Sequence, residues 1–453
     1  MSDLIKKYNI PGPRYTSYPT VPYWDEENFT VEGWIETMQQ SFTESNQSEG
    51  ISLYLHMPYC ESLCTFCACN KRITKQHSVE EPYIERMMKE WQMYLDLLPE
   101  KPVIKELHLG GGTPSFFSPE NLQRLLEFIL GTSVVAENPE YSFEGHPNNT
   151  TKEHLQMFYN LGFRRVSFGV QDFDLKVQKA INRIQPFENV KKVTEWSREI
   201  GYTSISHDLV FGLPFQKVKS IQDSITKIQQ LNPDRIAFYS YAHVPWIKGV
   251  GQRGFDENDL PNGDEKRQLY DIGKQMLEDF GYHEIGMDHF AKEDDTLYQS
   301  LMNKTIHRNF MGYSSSKTQL MIGLGVSSIS DSWYSFAQNV KTVEEYNEKI
   351  DNNELPVYRG HLLNQEDLII RRHILNLMCT LETSWEDHTL QFPELQDSLQ
   401  RMEELKNDGL LEIYENKMIV KEEGRSFVRN ICMALDLRMI RNKPESRIFS
   451  MTI

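Results

Sequence analysis

An α/β fold built on a parallel sheet is predicted by three features of this 453-residue chain. Between about residues 50 and 240, short apolar segments alternate with longer segments of helical periodicity. The helical segments carry their own start and stop residues. After about residue 355 the character changes to long polar–apolar helical segments. Strand–helix alternation makes a parallel sheet with right-handed crossovers. Six units of this kind form either an incomplete barrel or an open doubly wound sheet. Both place functional loops at the carboxyl ends of the strands.

The expected strands are Ile51–Leu55, Glu106–Leu109, Tyr141–Glu144, Arg165–Gly169, Ser204–Phe211 and Arg235–Tyr239. Each is short and rich in apolar, aromatic or β-branched residues, as a strand buried on both faces requires. Ser78 and Glu81 have capping-box spacing, with Pro82 following. Apolar positions then recur at Ile84, Met87, Met88, Trp91, Leu95 and Leu98, a helical face in which the methionines read as core packing. Ser118-Pro119 opens the next helix, Leu122, Leu125, Leu126 and Ile129 form its stripe, and Gly131 ends it. Helices ending at Gly162 and Gly201 repeat the scheme. Towards the C-terminus a helix over Glu366–Leu381 is followed by two strands around a Glu-Asn turn in residues 410–421, a winged-helix-like order. Glu403, Glu404, Glu412, Glu415, Glu422 and Glu423 make that region acidic, which speaks against DNA binding.

Composition narrows the function classes. Charged residues make up 25 % and hydrophobic residues 39 %, ordinary for a globular chain. The formal charge of −17 argues against a nucleic-acid binder. No apolar stretch of about 18 residues suggests a membrane span, and the opening residues show no apolar signal region. Cytoplasmic residence is expected. Four of the six cysteines lie in one loop, unlike a secreted disulfide scaffold.

That loop carries the chemistry. Cys60, Cys64 and Cys67 have the spacing C-x3-C-x2-C, and Cys69 follows. Three thiolates on a 4Fe–4S cluster leave one iron without a protein ligand. S-adenosylmethionine chelated there can accept one electron and split into methionine and a 5′-deoxyadenosyl radical. Structural zinc is the bland alternative, but no second Cys or His pair stands at finger-like distance. His56 reads as a strand residue. Gly110-Gly111-Gly112-Thr113-Pro114 follows the second strand, where glycines permit close backbone approach to a ligand. It lacks the Lys-Ser/Thr of a phosphate loop and the full dinucleotide fingerprint. Glu144, Gln171, Asp208 and the Tyr241-Ala242-His243 turn place polar groups at further strand ends, and Arg183 lies just beyond the fourth strand.

Together these residues resemble the radical S-adenosylmethionine superfamily and, within it, the oxygen-independent coproporphyrinogen III oxidase family. The likeness rests on Pro13–Thr20 (Pro-Arg-Tyr-Thr-Ser-Tyr-Pro-Thr), the cysteine loop with Cys69, His307-Arg308-Asn309-Phe310, and Arg429-Asn430-Ile431-Cys432-Met433. It runs from about residue 10 to the C-terminus. It implies a partial (β/α)6 TIM-like barrel with an N-terminal arm and a mainly helical C-terminal domain, divided here as 1–45, 46–355 and 356–453. It implies conversion of two propionates of coproporphyrinogen III to vinyl groups, giving protoporphyrinogen IX and carbon dioxide. In that scheme the radical takes a hydrogen from the propionate β-carbon, and one electron passes to an acceptor.

The resemblance further implies two S-adenosylmethionine molecules, with Cys60, Cys64 and Cys67 ligating the cluster and Cys69 not a ligand. Tyr54, Phe66, Gly111, Glu144 and Ile329 would contact the cluster-bound molecule. Gly112, Thr113, Gln171, Arg183, Asp208 and Ala242 would contact the second. A low-potential electron donor, an electron acceptor and a monomeric state belong to the same expectation. Arg14 and Arg308 are candidates for holding the substrate's carboxylates. Two departures stand out: Met311 where a glutamine is expected, and Glu-Gly-His-Pro (Glu144–Pro147) where an acidic residue usually precedes the proline. A haem-trafficking relative without decarboxylase activity would lack the leading arm and the fourth cysteine, both present here. A radical methyltransferase acting on a porphyrinoid would be told apart by its products.

Overall fold

The computed structural model describes residues 2–244, 252, 254–443 and 448–452. Two helices, α1 (Ser2–Tyr8) and α2 (Val31–Ser45), precede the sheet. Six strands then run parallel, each beside the next in chain order: β1 (Ile51–Met57), β2 (Val103–Gly111), β3 (Val134–Gly145), β4 (Arg165–Gln171), β5 (Ser204–Phe211) and β6 (Arg235–Ser240). The crossovers carry α3 (Glu80–Leu97), α4 (Pro119–Gly131), α5 (Lys152–Asn160), α6 (Leu175–Ala180), α7 (Phe187–Ile200) and α8 (Val218–Leu231). The expected units are all present, with most strands longer than expected at one or both ends.

The sheet extends past both edges of this set. Helix α9 (Gly263–Asp279) leads to β7 (His283–Gly286) and β8 (His289–Ala291), and β8 pairs antiparallel with β6. After α10 (Thr296–Met302) comes a separate hairpin, β9 (His307–Asn309) and β10 (Gly312–Ser314). Strand β11 (Leu320–Leu324) then joins β1 in parallel on its free side, aligning Gly323 with Tyr54. Strands β12 (Ile329–Ser332), β13 (Ser335–Asn339) and, after α11 (Val343–Asp351), β14 (Val357–Leu362) continue antiparallel and complete a 12-stranded sheet.

The helix stripes face the sheet as their periodicity requires. Leu122, Leu125, Leu126 and Ile129 of α4 and Ile84, Met87 and Trp91 of α3 are buried, whereas Met88 and Leu95 are only partly so. Ser118 caps α4 by accepting from Asn121 N at 3.3 Å. The expected Ser78–Glu81 capping box does not form. Ser78 lies in a 3₁₀ turn, and α3 starts at Glu80 without a side-chain cap. The buried Glu80 carboxylate instead accepts from Ser118 N at 2.7 Å and Asn121 Nδ2 at 2.9 Å, so one acid ties the starts of two helices.

A second core lies in the C-terminal part. Helix α12 (Gln365–Thr380) packs against a three-stranded sheet of β15 (Glu382–Ser384), β16 (Leu411–Ile413) and β17 (Lys417–Val420). Short helices α13 (Leu395–Arg401), α14 (Glu403–Asn407), α15 (Val428–Met433) and α16 (Leu437–Arg441) surround it. Tyr8, Tyr15 and Tyr18 of the leading segment are members of this core, beside Ile370, Leu377, Phe427 and Ile431. The leading segment therefore packs with the C-terminal part, and Pro11 bridges to Met451.

One buried acid gives the barrel side a testable pH dependence. Glu90 of α3 accepts from Gly325 N at 2.8 Å, Tyr346 Oη at 2.7 Å and Asn339 Nδ2 at 2.7 Å. Burial outweighs those donors and pushes its pKa from 4.5 up to about 7. The folded state thus holds a proton that the unfolded chain releases near pH 4.5. Stability falls as pH rises from about 4.5 to 7, by roughly 3 kcal/mol. Glu90→Gln is expected to flatten this slope, measured as the change in urea midpoint between pH 5 and pH 8.

Candidate active site

The cysteine loop leaves the carboxyl end of β1 and is held from several sides. Tyr59–Cys60 and Arg72–Ile73 form a short parallel pair that closes the loop at its base. Its outer turn rests on the end of α6. Thr65 N donates to Ile181 O at 2.9 Å, Thr65 Oγ1 to Ala180 O at 3.0 Å, and Asn182 Nδ2 to Leu63 O at 2.7 Å. Lys71 Nζ gathers the carbonyls of Cys67 (3.2 Å) and Cys69 (3.1 Å). These contacts tie the loop to the end of α6 and to its own carbonyls.

Each of the first two thiols has a polar neighbour aimed at sulfur. Cys60 Sγ lies 3.3 Å from Thr113 Oγ1, and Arg183 Nη1 approaches Cys64 Sγ at 3.7 Å. Cys67 is drawn down to about 6, first by the hydrogen bond from the Cys69 thiol and then by Lys71 and Arg183, against the effect of burial. Burial instead pushes Cys60 up to about 11. Three thiols in one loop, one facing a hydroxyl and one a guanidinium, form a donor set that suits an iron–sulfur cluster. Cys69 is more exposed than the other three.

Beside the loop, β2 runs on past the end of β1. Gly112 N donates to Met57 O at 2.8 Å and Thr113 N to Tyr59 O at 3.0 Å. The glycines here also make room for neighbouring protein atoms. At Gly111 (φ 106°) a Cβ would stand 2.6 Å from the His56 ring, and at Gly112 it would stand 2.7 Å from the Pro58 carbonyl. Gly111 N donates to Glu144 at the end of β3 (3.2 Å). Tyr54 of β1 stacks on His108 of β2 at 6.0 Å, and His108 Nε2 lies 3.6 Å from the Glu144 carboxylate. Burial acts to raise the Glu144 pKa, but His108, the Gly111 N–H and His56 bring it below the usual value. His56 Nε2 donates to Asn70 O at 3.0 Å, leaving Nδ1 to face the Tyr54 hydroxyl at 3.2 Å.

A second group lies along β4, β5 and β6. Arg183 Nη2 donates to Gly169 O at 2.7 Å, and Gln171, with φ 69°, folds its amide over Gly169. A non-glycine residue in this left-handed region stores about 1 kcal/mol of strain. Asp208 of β5 accepts from Ser167 Oγ at 2.9 Å. Burial, and then Glu144, push it up to about 7 despite Ser167 and Arg183. Ala242, just beyond β6, is joined to the cysteine loop by Gln252, whose Nε2 donates to Ala242 O at 2.7 Å and Phe66 O at 3.4 Å. Phe66 packs against Val177, Ile181, Val210, Leu213 and Tyr241. Ile329 begins β12, and its carbonyl would stand 2.6 Å from a Cβ at Gly323, the neighbour of Tyr54 in the sheet.

The structure therefore brings Cys60 to Thr113, Cys64 to Arg183, Gly111 to Glu144, and Phe66 to Ala242. Ile329 reaches this group only through β11. His108, Ser167, Asn182 and Gln252 escaped the sequence reading. His108 sits inside an apolar strand, and only the register that sets it opposite Tyr54 reveals its place. Arg14 is engaged in an ion pair with Asp288. Arg308 donates to the carbonyls of Tyr15 (3.3 Å) and Arg14 (3.2 Å). Met311 lies in the β9–β10 turn, its N–H donating to Asn309 Oδ1 at 2.9 Å. His146, in place of the expected acid, accepts from Asn148 N at 3.1 Å, and burial together with Arg183 drives its pKa down to about 3.

Comparison with known proteins agrees with this geometry. The Radical SAM superfamily model matches residues 54–228. The oxygen-independent coproporphyrinogen III oxidase of Helicobacter pylori strain J99 is 37 % identical over 96 % of this chain and 96 % of its own. The Escherichia coli K12 protein of the same name is 34 % identical over 99 % and 98 %. The solved structure of coproporphyrinogen III oxidase (HemN) from Escherichia coli, a radical SAM enzyme, superposes with a TM-score of 0.89 at 32 % identity, covering 96 % of this chain and 98 % of that one. With a three-cysteine loop at the end of β1 and near-full-length identity above 30 %, the chain belongs to the oxygen-independent coproporphyrinogen III oxidase family of radical SAM oxidoreductases.

Proposed function

We propose that the chain converts coproporphyrinogen III to protoporphyrinogen IX without oxygen, turning two propionates into vinyl groups with loss of two molecules of carbon dioxide. The observation that carries this reading is the cysteine loop, built onto the ends of β1 and α6 and faced by Thr113 and Arg183. The residues fit a 4Fe–4S cluster held by Cys60, Cys64 and Cys67, with Cys69 outside the ligand set. When bound, the cluster supplies the electron that cleaves S-adenosylmethionine and so provides the hydrogen-abstracting radical.

The remaining residues bind and orient. Tyr54, Phe66, Gly111, Glu144 and Ile329 are assigned to the cluster-bound S-adenosylmethionine, which carries an amino group suited to the Glu144 carboxylate. Gly112, Thr113, Gln171, Arg183, Asp208 and Ala242 are assigned to a second molecule. Its support is the separate polar group on β4 to β6, in which Arg183 offers a cation and Asp208 an acid shielded from water. The physiological reading is tetrapyrrole synthesis in the cytoplasm by a monomer, served by a low-potential donor and an electron acceptor. Among the described residues no helix is long and apolar enough to cross a membrane.

One anaerobic assay tests this. Reconstituted protein, S-adenosylmethionine, a low-potential reductant and coproporphyrinogen III are expected to yield 5′-deoxyadenosine and, after oxidation, protoporphyrin. Deoxyadenosine without vinyl product would overturn the substrate assignment and keep the radical chemistry. S-adenosylhomocysteine with a methylated porphyrinoid would indicate methyl transfer instead.

A further inference from the structure

Where the leading segment meets the β9–β10 hairpin, positive charge gathers that the described residues neutralise only in part. Arg14 pairs with Asp288. Arg308, only 5 % exposed, meets two neutral carbonyls, and its Nη1 is buried with no partner. Among the described residues Arg429 also donates only to carbonyls, those of Gly12, Pro13 (2.7 Å), Met451 (3.0 Å) and Thr452 (3.1 Å). Arg14, Arg308 and Arg429 repel one another. A buried cation without a counter-ion is costly, so one is expected from outside the chain.

His289 of β8 completes the arrangement. Its ring stands edge-on to Tyr239 (5.7 Å, 89°) and to Tyr313 (5.6 Å, 82°). The Arg308 guanidinium lies 4.5 Å over the face of the same Tyr313 ring. Tyr239 Oη is 3.5 Å from His289 Nε2, and His289 Nδ1 is buried with no partner. Burial, with Arg308, Arg14 and Arg235 adding to it, drives the His289 pKa down to about 3, so the ring is neutral. With the Tyr239 hydroxyl turned towards Nε2, the ring proton is assigned to Nδ1, a donor without an acceptor. Tyr239 in turn lies within reach of the charges of Asp208 and Glu144.

From this geometry we infer that Arg308 Nη1 and His289 Nδ1 form a subsite for one carboxylate of the substrate, with the Tyr313 ring as its floor. Arg14 is not part of it, because Asp288 already engages that guanidinium. Both nitrogens are closed off from bulk water, where charge-assisted hydrogen bonds to a carboxylate are strongest. The inference rests on the tetrapyrrole reading above and names the group that reads a propionate.

The test is equilibrium binding to the reconstituted holoenzyme, followed by tryptophan fluorescence quenching under anaerobic conditions. The probes are coproporphyrin III, a stable tetracarboxylate, and its neutral tetramethyl ester. Arg308→Gln and His289→Phe are each expected to weaken coproporphyrin III binding by about tenfold to a hundredfold. Binding of the ester is expected to stay within about twofold of the unsubstituted protein. Because Arg308 also holds the leading segment, His289→Phe, which keeps an aromatic ring against Tyr239 and Tyr313, supplies the independent measurement. Equal weakening of acid and ester in both variants, or no change in either, would overturn the subsite and leave the substrate assignment standing. Failure of the unsubstituted protein to bind the tetracarboxylate would overturn both.

Discussion

Protein carrying Cys64→Ala, reconstituted with iron and sulfide in the absence of oxygen, is expected to fold normally and yet lose S-adenosylmethionine cleavage by at least about a hundredfold. Loss of a partner one bond removed from a metal site already costs ten- to a hundredfold, so loss of a ligand itself lies beyond that range. The fold is spared because Cys64 sits in a loop tied down by Thr65, Asn182 and Lys71 rather than by its own side chain. Iron content, 5′-deoxyadenosine release and circular dichroism measure the three parts of this expectation. Cys69→Ala supplies the contrast: iron is retained and cleavage persists, because Cys69 lies outside the proposed ligand set. An equal loss of iron in both variants would contradict the three-cysteine assignment.

The second large effect is expected at Gly112. A Cβ there would stand 2.7 Å from both the carbonyl carbon and the oxygen of Pro58, backbone that no side-chain rotation can clear. The Gly112 and Thr113 N–H groups bond to Met57 O and Tyr59 O, on either side of Pro58 and directly before Cys60. Gly112→Ala must therefore shift the root of the cysteine loop or break those bonds. Expected are a loss of about 2–3 kcal/mol in stability and a severalfold drop in cluster iron per chain. Calorimetry and iron analysis read the two. Gly131→Ala is the matched control, since nothing lies within 4 Å of its would-be Cβ. That variant is expected to keep both stability and iron.

Local information in the chain sufficed for a good deal. Strand and helix periods, Ser118-Pro119 at a helix start and Gly131 at its end depend on neighbours a few residues apart. So does the three-cysteine spacing, because one loop supplies all three thiols. The same holds for the rule that loops after strands carry function: Cys60, Gly111, Glu144 and Ala242 lie at the ends of β1, β2, β3 and β6 or just past them.

Longer-range features could not be read in this way. The Ser78–Glu81 spacing satisfies a capping rule, yet Glu80 turns to α4, a partner about 40 positions away that appears only on packing. Gly110–Gly112 read as room for a ligand, and only the fold adds that His56, Pro58 and Glu144 also press against them. The role of His108 emerges from strand register, and that of Gln252 from its hydrogen bonds to Ala242 and to the distant Phe66. Arg14 and Arg308 read alike as candidates for the substrate's carboxylates, but Asp288 engages one and the other keeps a buried Nη1 without a partner. Spacing within a segment is set by bond geometry and is written in the chain. Which distant groups share a buried space is set by the balance of sheet pairing, apolar burial and charge compensation over the whole molecule, and only the assembled fold expresses it.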